Sequence, residues 1–552
     1  MPITLETDHF IFFEGLPDEV AEKKLNAVPT RKGWRLPKNV RALRELYKIM
    51  PDEQILTIGK AIRQKRDKLL SIKTKEDTDG DPRLRPYQRV DVEFLKHLPN
   101  GALFNEPRTG KTPTILCLLK EKGYERIGIV VPAYLVSPWA EEIRRWMGRE
   151  PDVIRGEKKK RHQIIKSLYH RPFVFVTSYE TLRMDLDQYR FLKLDAMVVD
   201  EAHRLRNYSK GKPGTKQNAA VFTLSMNASH RYALTGTPSV RSPEDIWPIL
   251  HFLEPDKYPG KWAFIDRYFE QNEDWLTKSK VVGEIKREAE LQEEIALIAT
   301  NRKLKEVMPW VPEKQYMTVK LELSPAQRKV YESVAETFEY VENGILKIDC
   351  PSLLAQMVRL RQIITCPRVL DLSCDSAKEA WLLEWLKDNP NEPVIVFSTF
   401  SLYLWELKKV LSYSEGLEAS ILTGNMSQEA RRKNIAWFQS GHRNIMLANI
   451  KAAGVGLTLD RATTTIFLDK EFNPADNEQA ENRMVPISKE RSHGMMVISL
   501  VAKDTWDEVI DRLLERKYNI TEIINNGGVE ALKRLYHQIK SIPPEDVKIN
   551  PC

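Results

Sequence analysis

The chain has 552 residues and a mass of 64.0 kDa, which is too large for one hydrophobic core and suggests three or four domains of about 150 residues. A hydrophobic fraction of 42%, a charged fraction of 29% and apolar runs far shorter than the ~20 residues of a membrane span exclude general disorder and membrane insertion. The first residues are acidic, unlike a secretory signal, and the five cysteines form no Cys-x-x-Cys pair. We therefore expect a cytoplasmic protein, beside the nucleoid or in a host cytoplasm if the chain is viral.

The first 75 residues are predicted to form a small basic α+β domain. Nine of the basic residues lie between positions 23 and 48, where only Glu45 opposes them, although the net charge of the whole chain is +8. Periodicity predicts two strands and two helices here, at 10–13, 33–36, 17–25 and 40–50. This cluster of positive charge favours binding to the phosphates of DNA. Trp34 lies within this stretch and is either a platform for an exposed base or the core of a tiny domain.

Two later regions alternate short apolar runs with helical patterns, which is typical of doubly wound parallel sheets in the α/β class. Residues 84–255 form the first region, and its predicted strands are 102–104, 127–131, 173–176, 196–199 and 232–234. Residues 378–510 form the second, with predicted strands at 394–397, 419–422, 444–447, 465–468 and 496–501. Residues 256–377 between them are mostly helical, with one predicted strand at 315–323, and residues 511–552 are predicted to be a helical tail.

A phosphate-binding loop is predicted after the first of these strands. Asn105-Glu106-Pro107-Arg108-Thr109-Gly110-Lys111-Thr112 leads from the strand into a helical pattern. In such loops the helix N-terminus and backbone N–H groups hold phosphates, the lysine contacts the β and γ groups, and the hydroxyl of the Thr binds Mg²⁺. The match is partial, because the usual first glycine is replaced by Asn105, and a helix N-terminus without a nucleotide is the alternative.

A pair of carboxylates follows the strand at 196–199. Asp200 and Glu201 would emerge at the carboxyl edge of the sheet, where the phosphate loop also lies. Asp200 is then placed to hold Mg²⁺, and Glu201 to polarise the attacking water. An acidic helix cap is the alternative, which the phosphate loop upstream makes much less attractive.

These motifs, in their order, resemble superfamily 2 helicases, and most closely their Swi/Snf-type double-stranded DNA translocases. The matching segments span about residues 84–510 and comprise Leu84-Arg85-Pro86-Tyr87-Gln88, Asp200-Glu201-Ala202-His203, Leu234-Thr235-Gly236-Thr237-Pro238, 247–255, Leu323-Ser324-Pro325-Ala326-Gln327, 360–362, 453–459 and Gln479-Ala480-Glu481-Asn482-Arg483. The N-terminal domain is similar, over fewer residues, to the accessory domain of HARP-type annealing helicases, which helps to recognise branched DNA.

The resemblance implies two RecA-like lobes that sandwich one ATP with Mg²⁺, and a DNA-dependent ATPase that moves along double-stranded or branched DNA, as in repair and recombination. It assigns nucleotide contacts to Arg85, Gln88, Thr109, Gly110, Lys111, Thr112 and Gly456. It assigns the arginine finger to Arg483, and the coupling of hydrolysis to motion to His203, Thr235, Thr237 and Gln479. We expect a monomer without membrane contacts.

Candidate contacts to the DNA backbone are Ser178, Thr399, Lys451 and Thr458, because phosphates are bound by cations and polar donors. Ordinary loop chemistry is the alternative for each of them. The family's second arginine, three residues after Arg483, is replaced by Pro486. Either Arg483 alone suffices, or Lys489 or Arg491 supplies the missing charge, or the ATPase is weak or inactive. The alternatives for the whole chain are a strand-separating RNA or DNA helicase, a restriction-type motor and a DNA-binding protein with a degenerate ATPase, and Pro486 favours only the last of them.

Overall fold

The computed structural model describes residues 3–6, 10–13, 17, 20–21, 25, 27–30, 33–206, 208–209, 212–213, 216–238, 243–273, 280–453, 458–486 and 488–515. The chain divides into two compact units, Met1–Val307 and Met308–Cys552. No helix in these described ranges is both long and apolar enough to cross a membrane.

The first unit begins with a small module built from one antiparallel sheet and two helices. Its elements are β1 (Ile3–Glu6), β2 (Phe10–Phe13), β3 (Val28–Thr30), β4 (Gly33–Pro37), α1 (Val40–Ile49) and α2 (Glu53–Lys73), with the strand order β1-β2-β4-β3. The predicted strands at 10–13 and 33–36 and the helix at 40–50 are confirmed. The helix predicted at 17–25 falls largely outside the described residues.

A seven-stranded parallel sheet follows, with the order β15-β5-β12-β9-β6-β8-β7. Its strands are β5 (Gly101–Leu103), β6 (Arg126–Val131), β7 (Asp152–Ile154), β8 (Phe173–Ser178), β9 (Leu194–Asp200), β12 (Ala228–Leu234) and β15 (Ala299–Thr300). The helices between them are α3 (Pro86–Lys96), α4 (Lys111–Glu121), α5 (Val136–Met147), α6 (Lys158–Leu168), α7 (Tyr179–Met184), α8 (Leu186–Tyr189), α9 (Lys216–Ser225), α10 (Trp247–Leu253), α11 (Lys261–Tyr268), α12 (Glu288–Ile298) and α13 (Leu304–Val307). Two hairpins complete the unit: β10 (Tyr208–Ser209) with β11 (Lys212–Pro213), and β13 (Phe269–Glu273) with β14 (Lys280–Ile285).

The register of three neighbouring strands positions the candidate site. Leu234 at the end of β12 pairs with Leu103 at the end of β5 and with Asp200 at the end of β9. The three strands are parallel and end in the same row, so the segments that follow them leave the sheet side by side. The phosphate loop, the carboxylate pair and Thr235 therefore start from adjacent positions.

The second unit contains a six-stranded parallel sheet with the order β16-β23-β22-β19-β21-β20. Its strands are β16 (Lys314–Leu321), β19 (Val394–Ser398), β20 (Ala419–Leu422), β21 (Ile445–Asn449), β22 (Thr464–Phe467) and β23 (Met495–Ala502). The helices are α14 (Pro325–Thr337), α15 (Leu353–Thr365), α16 (Ala377–Asp388), α17 (Ser401–Ser414), α18 (Gln428–Gln439), α19 (Ile450–Ala453), α20 (Pro474–Glu481) and α21 (Trp506–Glu515), and β17 (Glu339–Glu342) pairs with β18 (Ile345–Asp349).

The segment 256–377, which the sequence set apart as a helical insertion, is shared between the two units. Its part up to Val307 adds the edge strand β15 to the first sheet. Its part from Met308 supplies β16, the strand predicted at 315–323, to the edge of the second sheet. The α/β class and the two doubly wound sheets agree with the prediction. Beyond Glu515, the predicted tail lies outside the described residues.

Candidate active site

The phosphate loop is a tight turn that ends on the N-terminus of α4. Gly110 adopts φ +79°, in the left-handed region that favours glycine. A Cβ on Gly110 would overlap Nε2 of Gln88, so a larger residue there would have to displace that amide. The amide of Gln88 donates to the carbonyls of Thr109 (3.1 Å) and Gly110 (3.3 Å), and the Tyr87 hydroxyl also donates to Thr109 (2.9 Å).

Gln88 lies against the phosphate loop, and its expected contact with the adenine edge stays a prediction. Its side chain is buried, its Oε1 accepts the backbone N–H of Arg85 at 2.8 Å, and its Nε2 supports the loop carbonyls. These bonds occupy most of the amide's donors and acceptors. The geometry gives Gln88 the task of bracing the loop, while Arg85 precedes the first turn of α3 beside it.

Lys111 lies at the start of α4 and points its ammonium into the loop. Its Nζ donates to the carbonyls of Asn105 at 2.7 Å and Glu106 at 3.2 Å. Burial lowers the pKa of Lys111, and the charges of Glu201 and Asp200 oppose that change. The ammonium is thus held among carbonyls and carboxylates, where an added phosphate would compete for its protons.

Asn105, which replaces the usual first glycine, is part of a buried polar network that the sequence did not reveal. Its Nδ2 donates to Asp91 at 2.8 Å, and its Oδ1 accepts the Thr300 hydroxyl and the Arg302 N–H, both at 3.0 Å. Arg302 in turn pairs with Asp91 at 2.8 Å. The asparagine side chain performs a task that glycine cannot, which explains the departure from the usual pattern.

Asp200 ends β9 with its carboxylate oriented by two donors. The indole N–H of Trp139 donates to Oδ2 at 2.8 Å, and the backbone N–H of Glu201 donates to Oδ1 at 2.9 Å. Burial and then the neighbouring charge of Glu201 raise the pKa of the Asp200 carboxyl well above its ordinary value. A cation bound beside the Asp200 carboxyl would favour its ionised form.

The donor set fits Mg²⁺. Magnesium prefers hard oxygen ligands and few protein groups, so one carboxylate and one hydroxyl are sufficient beside the oxygens of a phosphate. Asp200 would supply the carboxylate, and Thr112, in the first turn of α4, would supply the hydroxyl. The Trp139 indole and the Glu201 N–H hold the Asp200 carboxylate in one orientation at this edge of the sheet.

Glu201 and His203 connect the carboxylate pair to the end of β12. Glu201 has φ 50°, a conformation that costs a non-glycine residue energy and is concentrated at functional sites. Its Oε2 lies 3.3 Å from Nδ1 of His203, which lies 3.2 Å from the Thr235 hydroxyl. The Thr235 hydroxyl accepts the Thr237 N–H at 3.1 Å. The coupling residues predicted in this unit thus form one hydrogen-bonded chain.

The same segment packs against the phosphate loop. A Cβ on Gly236 would lie 3.0 Å from Cδ of Pro107, tighter than ordinary contact. The Thr235 N–H donates to the Leu103 carbonyl at 3.1 Å, so the β12 ladder continues past the end of the strand. A displacement of either segment would therefore displace the other.

In the second unit, Arg483 and Gln479 lie at the end of α20. Gln479 is within the helix, and Arg483 follows it with a buried side chain. The backbone of Arg483 is fixed on both sides, since its N–H donates to Ala480 and its carbonyl accepts the Leu459 N–H, each at 3.0 Å. Gly456, the other nucleotide contact predicted in this unit, lies outside the described residues.

The four candidate DNA contacts occupy different environments. Ser178 is buried and caps α7 through the Thr181 N–H, which favours the ordinary structural alternative. The Thr399 hydroxyl donates to Asp469. Lys451 is exposed and pairs with Glu471 at 3.0 Å, while the carbonyl of Thr458 accepts the Gln439 amide at 3.1 Å. Lys451 is the one charged residue among these four candidates, and its side chain is exposed.

Trp34 is part of the module's hydrophobic core and is not an open stacking platform. It is 9% exposed and packs in the cluster that includes Ile11, Leu36 and Leu46. The structure thus favours the core alternative. The basic side chains Arg44 and Lys48 are exposed on α1 and offer a more accessible surface.

Comparison with known proteins gives matches over both units. The SNF2-related domain matches residues 44–369, and the helicase conserved C-terminal domain matches residues 377–486. The chromodomain-helicase-DNA-binding protein 3 homolog of Caenorhabditis elegans is 26% identical over 90% of this chain and 30% of its own length. The chromodomain-helicase-DNA-binding protein 1-like of Mus musculus is 27% identical over 81% of this chain and 50% of its own length.

The chain therefore spans about half or less of these curated relatives. A solved structure, the Sulfolobus solfataricus SWI2/SNF2 ATPase core in complex with dsDNA, is 21% identical, with 86% of this chain and 100% of that chain covered at a TM-score of 0.38. The first family match alone includes more than half of the 552 residues and contains the phosphate loop, the carboxylate pair and the Thr235 segment. The chain belongs to the SNF2-related family, the Swi/Snf branch of helicase superfamily 2.

Proposed function

We propose that this chain is an ATP-dependent DNA translocase, which hydrolyses ATP to move along double-stranded DNA and remodels branched DNA or protein–DNA complexes. The observation that carries the proposal is the shared register of β5, β12 and β9. It brings the phosphate loop, Thr235 and the carboxylate pair to one edge of the first sheet.

In the proposed reaction, the N-terminus of α4 and the loop N–H groups hold the phosphates of ATP. Lys111 binds the β and γ phosphates, and Glu201 orients and polarises the attacking water. Asp200 and Thr112 would hold Mg²⁺, which neutralises charge that develops on the phosphates. The indole of Trp139 keeps the Asp200 carboxylate in one orientation.

The second unit contributes Arg483 in this proposal. An arginine finger stabilises the charge of the transition state and is typically worth a factor of about 10³–10⁵ in rate. His203 and Thr235 would pass the change at the γ-phosphate to the segment that follows β12, because they already share a hydrogen bond with each other.

Backbone contacts would let the motor act on DNA of any sequence. Lys451 is our preferred contact in the second unit, because its ammonium is exposed and carries the charge that phosphates attract. We further propose that the basic face of the N-terminal module favours branched DNA, and that the protein works as a cytoplasmic monomer where its DNA lies.

Phosphate release at steady state, measured with duplex DNA, single-stranded DNA and RNA, tests the motor. We expect the largest stimulation from duplex DNA. Stimulation by RNA alone would favour a strand-separating RNA helicase, and no stimulation by any polymer would favour a DNA-binding protein with a degenerate ATPase, so either result would overturn the proposal.

The module's contribution is tested by substitution on α1. The variant with Arg44→Gln and Lys48→Gln keeps the core intact, because both side chains are exposed. We expect weaker binding to forked DNA, a smaller salt dependence by roughly two charges, and unchanged ATP hydrolysis without DNA. Equal fork affinity in the variant and the unaltered protein would count against this part of the proposal.

A further inference from the structure

The last stretch of the first unit lies directly beside the beginning of the phosphate loop. We name residues 299–307 the exit segment; they comprise β15 and α13, and the chain continues from Val307 into the second unit. Two backbone bonds hold the exit segment to the loop: the Phe104 N–H donates to Thr300 at 2.8 Å, and the Glu106 N–H donates to Arg302 at 2.9 Å.

Side chains of the loop's first two residues strengthen the same contact. The amide of Asn105 bonds Thr300 and the Arg302 N–H, as described above, and is almost fully buried. Glu106 accepts the backbone N–H of Leu304 through Oε2 at 2.7 Å, at the first position of α13. The Asn105–Thr300 bond is buried and the other two are partly buried, and polar bonds shielded from water are costly to leave unmade, so they hold the exit segment to the loop.

The two loop residues are also the ones that hold the catalytic lysine. Nζ of Lys111 donates to the carbonyls of Asn105 and Glu106. A bound nucleotide would draw the same ammonium toward its phosphates, since a charged acceptor is stronger than a neutral carbonyl. Any such shift of Lys111 changes the bonds at Asn105 and Glu106, whose side chains hold the exit segment.

We propose that Asn105 and Glu106 are positioning residues that transmit nucleotide binding from Lys111 to the exit segment, and through it along the chain toward the second unit. The inference rests on the nucleotide site proposed above and adds a route that leaves the first unit through its last residues. The His203–Thr235 chain would be a separate route, because it starts from Glu201 and ends after β12.

Hydrogen–deuterium exchange of the full chain tests the route directly, with AMP-PNP and Mg²⁺ added at concentrations that saturate each protein. In the unaltered protein we expect exchange to change at least threefold on addition of nucleotide at the Arg302 and Leu304 amides, which are bonded to the loop, and at the Glu306 and Val307 amides of α13. Glu106→Gln keeps an oxygen that accepts the Leu304 N–H and should retain the response.

Two variants should lose the response within α13, read at the Glu306 and Val307 amides, which both bond the Lys303 carbonyl. The Arg302 amide bonds Asn105 and should still respond in both variants. Glu106→Ala removes the acceptor from the loop. Leu304→Pro removes the N–H from the exit segment, at the first helical position where proline is tolerated, and leaves the loop unaltered. Glu93→Gln, on α3 and outside the network, is the matched control that should behave as the unaltered protein.

The outcomes separate the two proposals. If the unaltered protein binds AMP-PNP but its exit segment does not respond, the route is wrong and the nucleotide site stands. The route is also wrong if the Glu306 and Val307 amides of Leu304→Pro respond as fully as those of the control. If the unaltered protein does not bind AMP-PNP at all, the nucleotide site and the route both fail.

Discussion

At the scale of single residues, the groups that carry the chemistry are held by partners distant in sequence. Asp200 is oriented by Trp139, 61 positions away, and Asn105 bonds Thr300, 195 positions away. Gln88 supports the carbonyls around Gly110 from the preceding helix. Preorganised groups of this kind matter because small displacements at a reacting centre have large effects on rate.

Trp139→Phe removes the indole donor to Asp200 and keeps an aromatic ring in the core. We expect ATP turnover to fall roughly 10–100-fold, as is usual when a residue that orients a metal ligand loses its hydrogen bond. Trp146→Phe is the control, because that indole also donates to a carboxylate, Glu142, from the same helix α5. Equal turnover in the two variants, measured as phosphate release, would argue against an orienting role for Trp139.

Gly110→Ala places a methyl group where Gln88 Nε2 already lies, at a left-handed position. The strain alone costs about 1–2 kcal/mol, and the displaced loop should lose nucleotide affinity at least tenfold. Gly123→Ala provides the comparison, since Gly123 has φ +68° after the same helix with nothing within 4 Å of its Cβ. Fluorescent-nucleotide titration should show normal affinity for that variant; normal affinity for Gly110→Ala would contradict the proposed loop.

Local sequence patterns were enough to find the catalytic candidates, and they could not find the partners. Gly110-Lys111-Thr112 and Asp200-Glu201 are contiguous motifs that follow apolar strands, so their position at the sheet edge could be deduced. Trp139, Asp91 and Arg302 act through tertiary contacts, for which a single sequence contains no periodic signal. Trp34 is a case in which the local sequence misled. Its basic neighbours indicated a contact with DNA, but its own side chain packs in the core of the module.

At the scale of elements, the N-terminal module is joined to α11 and α12 by buried polar contacts. Arg267 on α11 pairs with Glu290 on α12 at 2.7 Å, both nearly inaccessible to solvent, and also donates to the Leu25 carbonyl of the module. Asn39, which caps α1, donates to both Glu290 and Glu294. The module is thus part of the first unit and not a separate appendage.

Arg267→Met should loosen this attachment. Removing one partner of a buried ion pair leaves an uncompensated charge and costs about 3–5 kcal/mol. Arg41→Ala breaks the exposed pair with Glu293 on the same helix α12 and should cost less than about 1 kcal/mol. Urea unfolding of both variants provides the comparison, and an equally small loss of stability for each would show that the buried pair does not hold the module.

The central strands of both sheets were predictable because they are continuous apolar runs, whereas the short edge strands of the first sheet were not. β9 and β19 are almost wholly buried, and their predicted positions agree with the structure. β7 and β15 have three and two residues and join the sheet edges through tertiary pairing. Helix α2 was also not predicted, because its sequence is charged on most of its surface.

At the scale of the whole molecule, two units with parallel sheets each carry part of the proposed ATPase. The first holds Lys111, Asp200 and Glu201, and the second holds Arg483 in a rigid turn after α20. This division predicts that the first unit alone is sufficient to bind nucleotide, and that rapid hydrolysis needs the second. The replacement at Pro486 would then affect the rate of ATP hydrolysis that Arg483 supports, and not the binding of nucleotide.

Duplex-stimulated phosphate release by Arg483→Ala tests this division most directly, with nucleotide affinity measured on the same protein. We expect turnover to fall about 10³-fold or more, while nucleotide binds with near-normal affinity. Arg512→Ala, an exposed arginine of α21, should retain both properties. Normal turnover by Arg483→Ala beside duplex DNA would contradict an ATPase assembled from both units.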